Sequence, residues 1–121
     1  MAKPESKFWQ QIKKSLPDIS FTRLENLSSL GTPDVLCQNK NGTFFTLELK
    51  VTKTNSVRIS PHQISFHIRH PKNTFILVLD TRLSLPKLYE GSSVLQLATQ
   101  GLRLAPLAKG YEACRLKLLS L

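Results

Sequence analysis

The sequence predicts an α/β domain in which a mixed central sheet is flanked by helices. Three observations predict it. An apolar stripe at helical spacing, Phe8, Trp9, Ile12 and Leu16, opens the chain and is stopped by Pro17. Two strand-like runs then flank the turn sequence Asn39-Lys40-Asn41-Gly42. Finally, a helix opened by Ser60-Pro61 is followed by the almost wholly apolar run Thr74 to Leu79.

Taken in order, the first helix is expected from about Pro4 to Leu16, with Glu5 sharing its inward stripe because it precedes Phe8 and Trp9 by three and four residues. Ile19 to Glu25 alternates as a strand, with Ile19, Phe21, Arg23 and Glu25 on one side. Asn26 to Pro33 contains Ser-Ser, Gly and Pro and reads as a loop. A second strand, Asp34 to Gln38, turns through Asn-Gly, which tolerates the positive φ angles of tight hairpins. The third strand, Thr43 to Thr52, places Phe45, Leu47, Leu49 and Val51 on one face and Thr46, Glu48 and Lys50 on the other. In the next helix Ser60 is a hydroxyl N-cap, and the helix ends near His70, before Pro71. Ile64 and Ile68 supply its buried stripe, while Gln63, Phe66, His67 and His70 lie along another side. Thr74 to Leu79 suits a central strand. Beyond Asp80 the pattern weakens; a helix near Ser92 to Gln100 and a strand near Ala113 to Leu119 are expected.

A chain of 121 residues without repeats or linkers predicts a single domain over residues 1–121. Seventeen Lys and Arg against eight Asp and Glu leave a net charge of +9, which points to a polyanionic partner, most commonly nucleic acid. Leu49 to Leu79 contains no carboxylate, yet holds Lys50, Lys53, Arg58, Arg69, Lys72 and all three histidines. The longest apolar run, Phe75 to Leu79, falls far short of a membrane span. The start, Met-Ala-Lys-Pro-Glu, has no secretory pattern, so a cytoplasmic protein without a membrane partner is expected. Cys37 and Cys114 are read as buried free thiols.

Metal-assisted phosphodiester hydrolysis needs hard carboxylate oxygens for Mg²⁺ and a nearby cation to position water or to stabilise developing charge. Asp34 opens one hairpin strand, just after Gly31-Thr32-Pro33, and Glu48 and Lys50 point the same way from its partner. Two carboxylates and an amine can therefore converge without unusual backbone.

These residues resemble a known signature. Pro33-Asp34, thirteen intervening residues and Glu48-Leu49-Lys50 are similar to the PD-(D/E)xK nuclease motif. Gly31-Thr32-Pro33-Asp34-Val35, Leu47-Glu48-Leu49-Lys50-Val51 and Ser60-Pro61-His62-Gln63 resemble the VRR-NUC branch and its phage-encoded relatives, themselves similar to archaeal Holliday-junction resolvases. The likeness runs from Glu5 to Leu79 and implies a restriction-endonuclease-like αβββαβ core. It implies that Asp34 and Glu48 ligate Mg²⁺, for which Mn²⁺ can substitute, with the main-chain carbonyl of Leu49 completing the shell. Lys50 would orient the attacking water or stabilise the pentacovalent phosphate, and Gln63 would support it. Glu5 matches the additional acid of the first helix; Glu25, in Arg23-Leu24-Glu25-Asn26, is its rival.

Other readings remain open for each residue. Glu48 and Lys50 could be a solvated ion pair, Asp34 a turn former, Glu5 a first-turn acid favoured by the helix dipole, Glu25 a partner of Arg23 or Arg58, and Gln63 a surface amide. Lys53, Arg58, Arg69 and Lys72, with His67 and His70, are the candidate DNA-backbone contacts; a solvated basic face with ordinary surface histidines would look the same. The expected activity is metal-dependent endonucleolytic cleavage of DNA, structure-selective for Holliday junctions or other branched DNA. The alternatives are a nicking or homing-type duplex endonuclease and a catalytically inactive DNA-binding protein. The resemblance and the need to cut two strands imply a homodimer, for which Val94, Leu95, Leu97 and Leu102 could supply apolar surface or as easily complete the core, and the relatives imply a host cytoplasm if the chain is phage-encoded.

Overall fold

The computed structural model describes residues 4–24 and 31–121. Among these residues the chain forms four α-helices and six strands in the order α1 (Pro4–Ser15), β1 (Ser20–Arg23), β2 (Val35–Gln38), β3 (Phe44–Thr52), α2 (Pro61–Arg69), β4 (Thr74–Asp80), β5 (Leu85–Glu90), α3 (Val94–Gln100), β6 (Ala108–Lys109) and α4 (Tyr111–Leu119). The strands make one mixed sheet in the order β1-β2-β3-β4-β5-β6. All neighbours are antiparallel except β3 and β4, which run parallel with α2 between them in the chain. A tight turn cannot join parallel strands, so the crossover has to carry an element of its own.

Alternation along the strands gives the sheet two covered faces. On one, Phe8, Ile12 and Leu16 from the first helix and its exit, with Cys114 and Leu118 of α4, pack on Val35, Cys37, Phe45, Leu47, Leu49, Phe75, Leu77 and Leu88. On the other, Val94 and Leu97 of α3 join Val57 and Leu102 over Ile76, Val78 and Tyr89, with Ile64 of α2 alongside. β4 is therefore central and apolar on both sides. Both cysteines are buried free thiols, as expected.

The Asn39–Gly42 turn does more than reverse the chain. Gly42 takes φ +80°, and the amide Nδ2 of Asn39 donates to the Leu118 carbonyl at 2.9 Å and to the Leu121 carbonyl at 3.2 Å. Its Oδ1 accepts from the main-chain N–H of Asn41 and of Thr43. One buried amide thus ties the β2–β3 turn to the end of α4, where helix carbonyls lack partners of their own. Asn39→Ala should destabilise the protein by about 1–3 kcal/mol, because the Asn41 and Thr43 N–H groups lose their acceptor and the Leu118 carbonyl loses its amide donor. Urea denaturation followed by circular dichroism would measure this; an unchanged midpoint would show the tie to be dispensable.

Three expectations about the fold need correction. The segment from Ala113 to Leu119 belongs to a helix, not a strand: Cys114 and Leu118 are buried one helical turn apart, while Leu116 between them is 56% exposed. Leu85–Glu90, where the sequence pattern is weak, pairs with β4 over its whole length. In α2, His67 and not Ile68 turns inward; His67 is 0% exposed and Ile68 55%. Glu5 does not share the inward stripe of α1, since its side chain is exposed. The expected helix near Ser92–Gln100 is α3, preceded by a 3-10 turn at Gly91–Ser93. No described helix is long and apolar enough to cross a membrane.

Candidate active site

The site is built where β2 ends beside β3. Val35 pairs with Leu47, so one further step of the antiparallel register sets Asp34 opposite Glu48. Asp34 lies just before β2, and its carboxylate Oδ2 accepts the Leu49 N–H at 2.7 Å. Even-numbered residues of β3 direct their main chain to the β4 side: Thr46 N–H donates to the Asn73 carbonyl, and the Thr52 carbonyl accepts from Thr81. Odd-numbered residues therefore face β2, and an extended residue turns its N–H and C=O to the same side. The Leu49 carbonyl consequently lies on the edge that Asp34 occupies.

Glu48 is only 3% exposed, and its Oε1 is buried without a hydrogen-bond partner among the described residues. Burial, above all, drives its carboxyl up to about 9; a hydrogen bond to Asp34 and the negative charge there add to this, and Lys50 opposes it. The charge of Glu5 pushes in the same upward direction, which places that residue within electrostatic reach of the pair. A divalent cation bound between the two facing carboxylates would offset the cost of charging Glu48 there.

Lys50 does not form an ion pair with Glu48. Its ammonium donates to Oε1 of Gln63 at 2.8 Å. Gln63 is itself locked by a reciprocal cap: the same Oε1 accepts Ser60 N–H at 3.0 Å, and Gln63 N–H donates to Ser60 Oγ at 3.1 Å. The amide is thus neither a free surface group nor a simple cap, because one oxygen serves the helix start and the lysine together. Gly31, at φ +84°, presses on the same helix start; a Cβ there would stand 2.3 Å from the His62 carbonyl oxygen. The loop leading into Asp34 is thereby held against the first turn of α2.

If the chain has the metal-dependent cleavage activity expected from its sequence, this organisation predicts that Ser60→Ala costs about 1 kcal/mol of stability with little loss of that activity. Gln63→Ala should lose the cap and also lower activity by about 10–100-fold, because the lysine loses its guide. Denaturation midpoints measured beside turnover rates would separate the two effects; equal activities would remove Gln63 from the site.

The other candidates fall into three groups. Glu5 lies on the rim of a cleft of about 610 Å³ with Lys53, Val51, Thr52 and Thr81, at the C-terminal ends of β3 and β4. Lys53, Arg58, Arg69, His70 and Lys72 are exposed and available to a polyanion. Lys53 lines the cleft with Glu5, and Arg58 lines a cleft with Lys50 and Gln63, whereas Arg69, His70 and Lys72 sit at the far end of α2, about 10 Å along the axis from Gln63. Glu25 lies outside the described residues.

His67 must be withdrawn as a DNA contact, because its ring is wholly covered. It packs against the start of β4 and Gly91, where an added Cβ would lie 2.7 Å from its Nδ1. Neither ring nitrogen has a partner among the described residues, and burial, reinforced by the charges of His70 and Lys50, lowers its pKa from 6.5 to about 4. The folded state therefore binds this proton more weakly than the unfolded chain. Stability is full above pH 6.5 and declines as pH falls toward 4, by up to about 3 kcal/mol. Denaturation across this range should show a flatter profile for His67→Leu than for the parent; identical profiles would contradict the assignment.

Among the described residues, no three His, Cys, Asp or Glu side chains form a metal-ready cluster. The centre is instead two facing carboxylates and a main-chain carbonyl, with Glu5 at the rim. Hard oxygens in that combination, with one buried oxygen unsatisfied, suit Mg²⁺ or Mn²⁺. Comparison with protein-family models and with curated proteins finds no match to this chain.

Proposed function

We propose that the protein is a metal-dependent endodeoxyribonuclease of the PD-(D/E)xK type, with a restriction-endonuclease-like core formed by α1-β1-β2-β3-α2-β4. One observation carries the reading: the buried carboxyl of Glu48 faces Asp34 and is charged only reluctantly, beside a lysine aimed by Gln63. A solvated ion pair would leave Glu48 exposed and in contact with Lys50; neither holds. A divalent cation, when bound by Asp34, Glu48 and the Leu49 carbonyl, would polarise the phosphate and lower the pKa of the attacking water. Glu5 adds negative charge at the rim, favouring cation entry. Lys50 holds the water or the non-bridging phosphate oxygen and offsets charge that develops there. Gln63 fixes the ammonium in that position and restricts its rotation. The exposed Lys53 and Arg58 take flanking phosphates, so affinity should fall steeply with salt.

We further propose preference for branched DNA and action as a homodimer, since one centre per chain cuts one strand at a time. The test is a panel of labelled four-way junction, flap, single-stranded and linear duplex DNA with Mg²⁺, Mn²⁺ or EDTA, using the parent and Asp34→Asn. Cleavage that needs metal, is lost in the variant and is fastest on branched substrates supports the proposal. Binding without products in every metal identifies a non-catalytic DNA-binding protein.

A further inference from the structure

Lys50 and Gln63 line a second cleft, of about 620 Å³, together with Val57, Arg58, Ile59, Ser60 and Ala98. Its volume falls within the range of small-ligand sites, about 300–1,000 Å³. Three features give it a chemical character. No carboxylate lines it, while Lys50 and Arg58 make it cationic, and Arg58 has no ion-pair partner among the described residues. Ile59 and Ala98, with the buried Val57 behind them, make part of its lining apolar. The main-chain groups of Arg58 and Ile59 make no hydrogen bond among the described residues, so donors and acceptors border that surface.

The wall is held from outside. The Asn55 carbonyl accepts Leu102 N–H at 2.7 Å, Asn55 Oδ1 accepts from Arg82 at 2.9 Å, and Thr52 Oγ1 donates to the Ser56 carbonyl at 2.7 Å. Arg82 is anchored in turn by the buried Asp80 at 3.0 Å. Gly101, at φ +61°, permits the approach, since a Cβ there would stand 1.9 Å from the Asn55 oxygen. The part of the chain beyond Asp80 thus supplies both a brace and, through Ala98, one side of the cleft.

Resting on the nuclease reading, we propose that this cleft receives one unpaired nucleotide of the cleaved strand, next to the scissile phosphate. Its phosphate meets Arg58 and its base lies on Ile59 and Ala98. A base still paired and stacked in a duplex presents only its edge and cannot reach an apolar lining, whereas an unpaired base can turn into it. The lining is aliphatic, so the gain per base belongs at the low end of that seen for stacking, and all four bases should be accepted. Because Lys50 and Gln63 form one side, occupancy places the adjacent phosphodiester at the catalytic pair. Among branched substrates, this favours those with an unpaired nucleotide, such as a flap, over a fully paired four-way junction.

The experiment uses a flap duplex with 2-aminopurine placed at each unpaired position near the branch in turn, with the protein in EDTA so that no cleavage occurs. One position should change fluorescence on binding, and an abasic site there should weaken binding about fivefold or more. Ala98→Leu, which narrows the cleft, should erase the difference between base and abasic substrates. Ala98→Ser should retain it, which guards against misfolding as the cause. Equal affinity for base and abasic substrates at every position overturns the proposal. Cleavage in Mg²⁺ alongside that equality leaves the nuclease reading standing, whereas base-dependent binding without cleavage supports the cleft and sinks the nuclease alone.

Discussion

Glu48→Gln is expected to abolish metal-dependent cleavage while leaving the metal-free protein as stable as the parent or more so. The parent carboxyl, pushed up to about 9, already holds a proton at neutral pH, so glutamine reproduces its shape and its neutrality. What glutamine cannot do is release that proton to admit a cation, and loss of the ligand should cost at least about 10³-fold in rate. The folded pKa lies above the ordinary 4.5, so the native state holds a proton that the unfolded chain releases. This contribution is complete below pH 4.5 and is lost as pH rises toward 9; the parent in EDTA should lose up to a few kcal/mol over that interval. The variant should lack this slope. Thermal unfolding between pH 5 and 9, with and without Mn²⁺, provides the check. Mn²⁺ should raise the parent's Tm, more so at higher pH, and leave the variant unchanged. A variant that is markedly unstable in EDTA would mean that Glu48 is ionised in the fold and that its burial has another cause.

Lys50→Ala should lower single-turnover cleavage by about 10²–10³-fold, the usual loss when one pre-positioned cationic or hydrogen-bond donor leaves a transition state. Binding of DNA should weaken far less, because Lys53 and Arg58 remain exposed. A second consequence separates this variant from general damage. The ammonium charge holds the Glu48 carboxyl down, so removing it raises that pKa further and moves metal binding to higher pH. Lys50→Arg should not restore activity, since a planar guanidinium cannot take the place of an ammonium seated 2.8 Å from Gln63 Oε1. Full activity in Lys50→Ala would remove the lysine from the chemistry.

The parts of this fold that were legible in the sequence are those set by local physics. The Phe8–Leu16 stripe, the Asn-Gly turn, the alternation along Thr43–Thr52 and the Ser60-Pro61 start each specify their element within a few residues. Asp34, Glu48, Lys50 and Gln63 were legible for the same reason, since register and helix start bring them together. What was not legible depends on distant partners. In α4, Cys114, Leu116 and Leu118 alternate with Arg115 and Lys117, which mimics a strand, and only packing against β5 and the Asn39 amide settles a helix. Pro86 and Lys87 disguise β5, whose pairing comes from β4. Ile68 is the better core residue by composition, but the space left by the missing side chain of Gly91 rotates His67 inward instead. Glu5 sits on the rim because its place is decided by the ends of β3 and β4, which its own helix does not encode.

The measurement closest to the central claim is Mn²⁺ binding to the full chain, followed by calorimetry and electron paramagnetic resonance at pH 8 without DNA. The parent should bind the ion with release of a proton, and both signals should vanish in Glu48→Gln and in Asp34→Asn. No binding by the parent, or equal binding by the parent and both variants, would show that the facing carboxylates are not a metal centre.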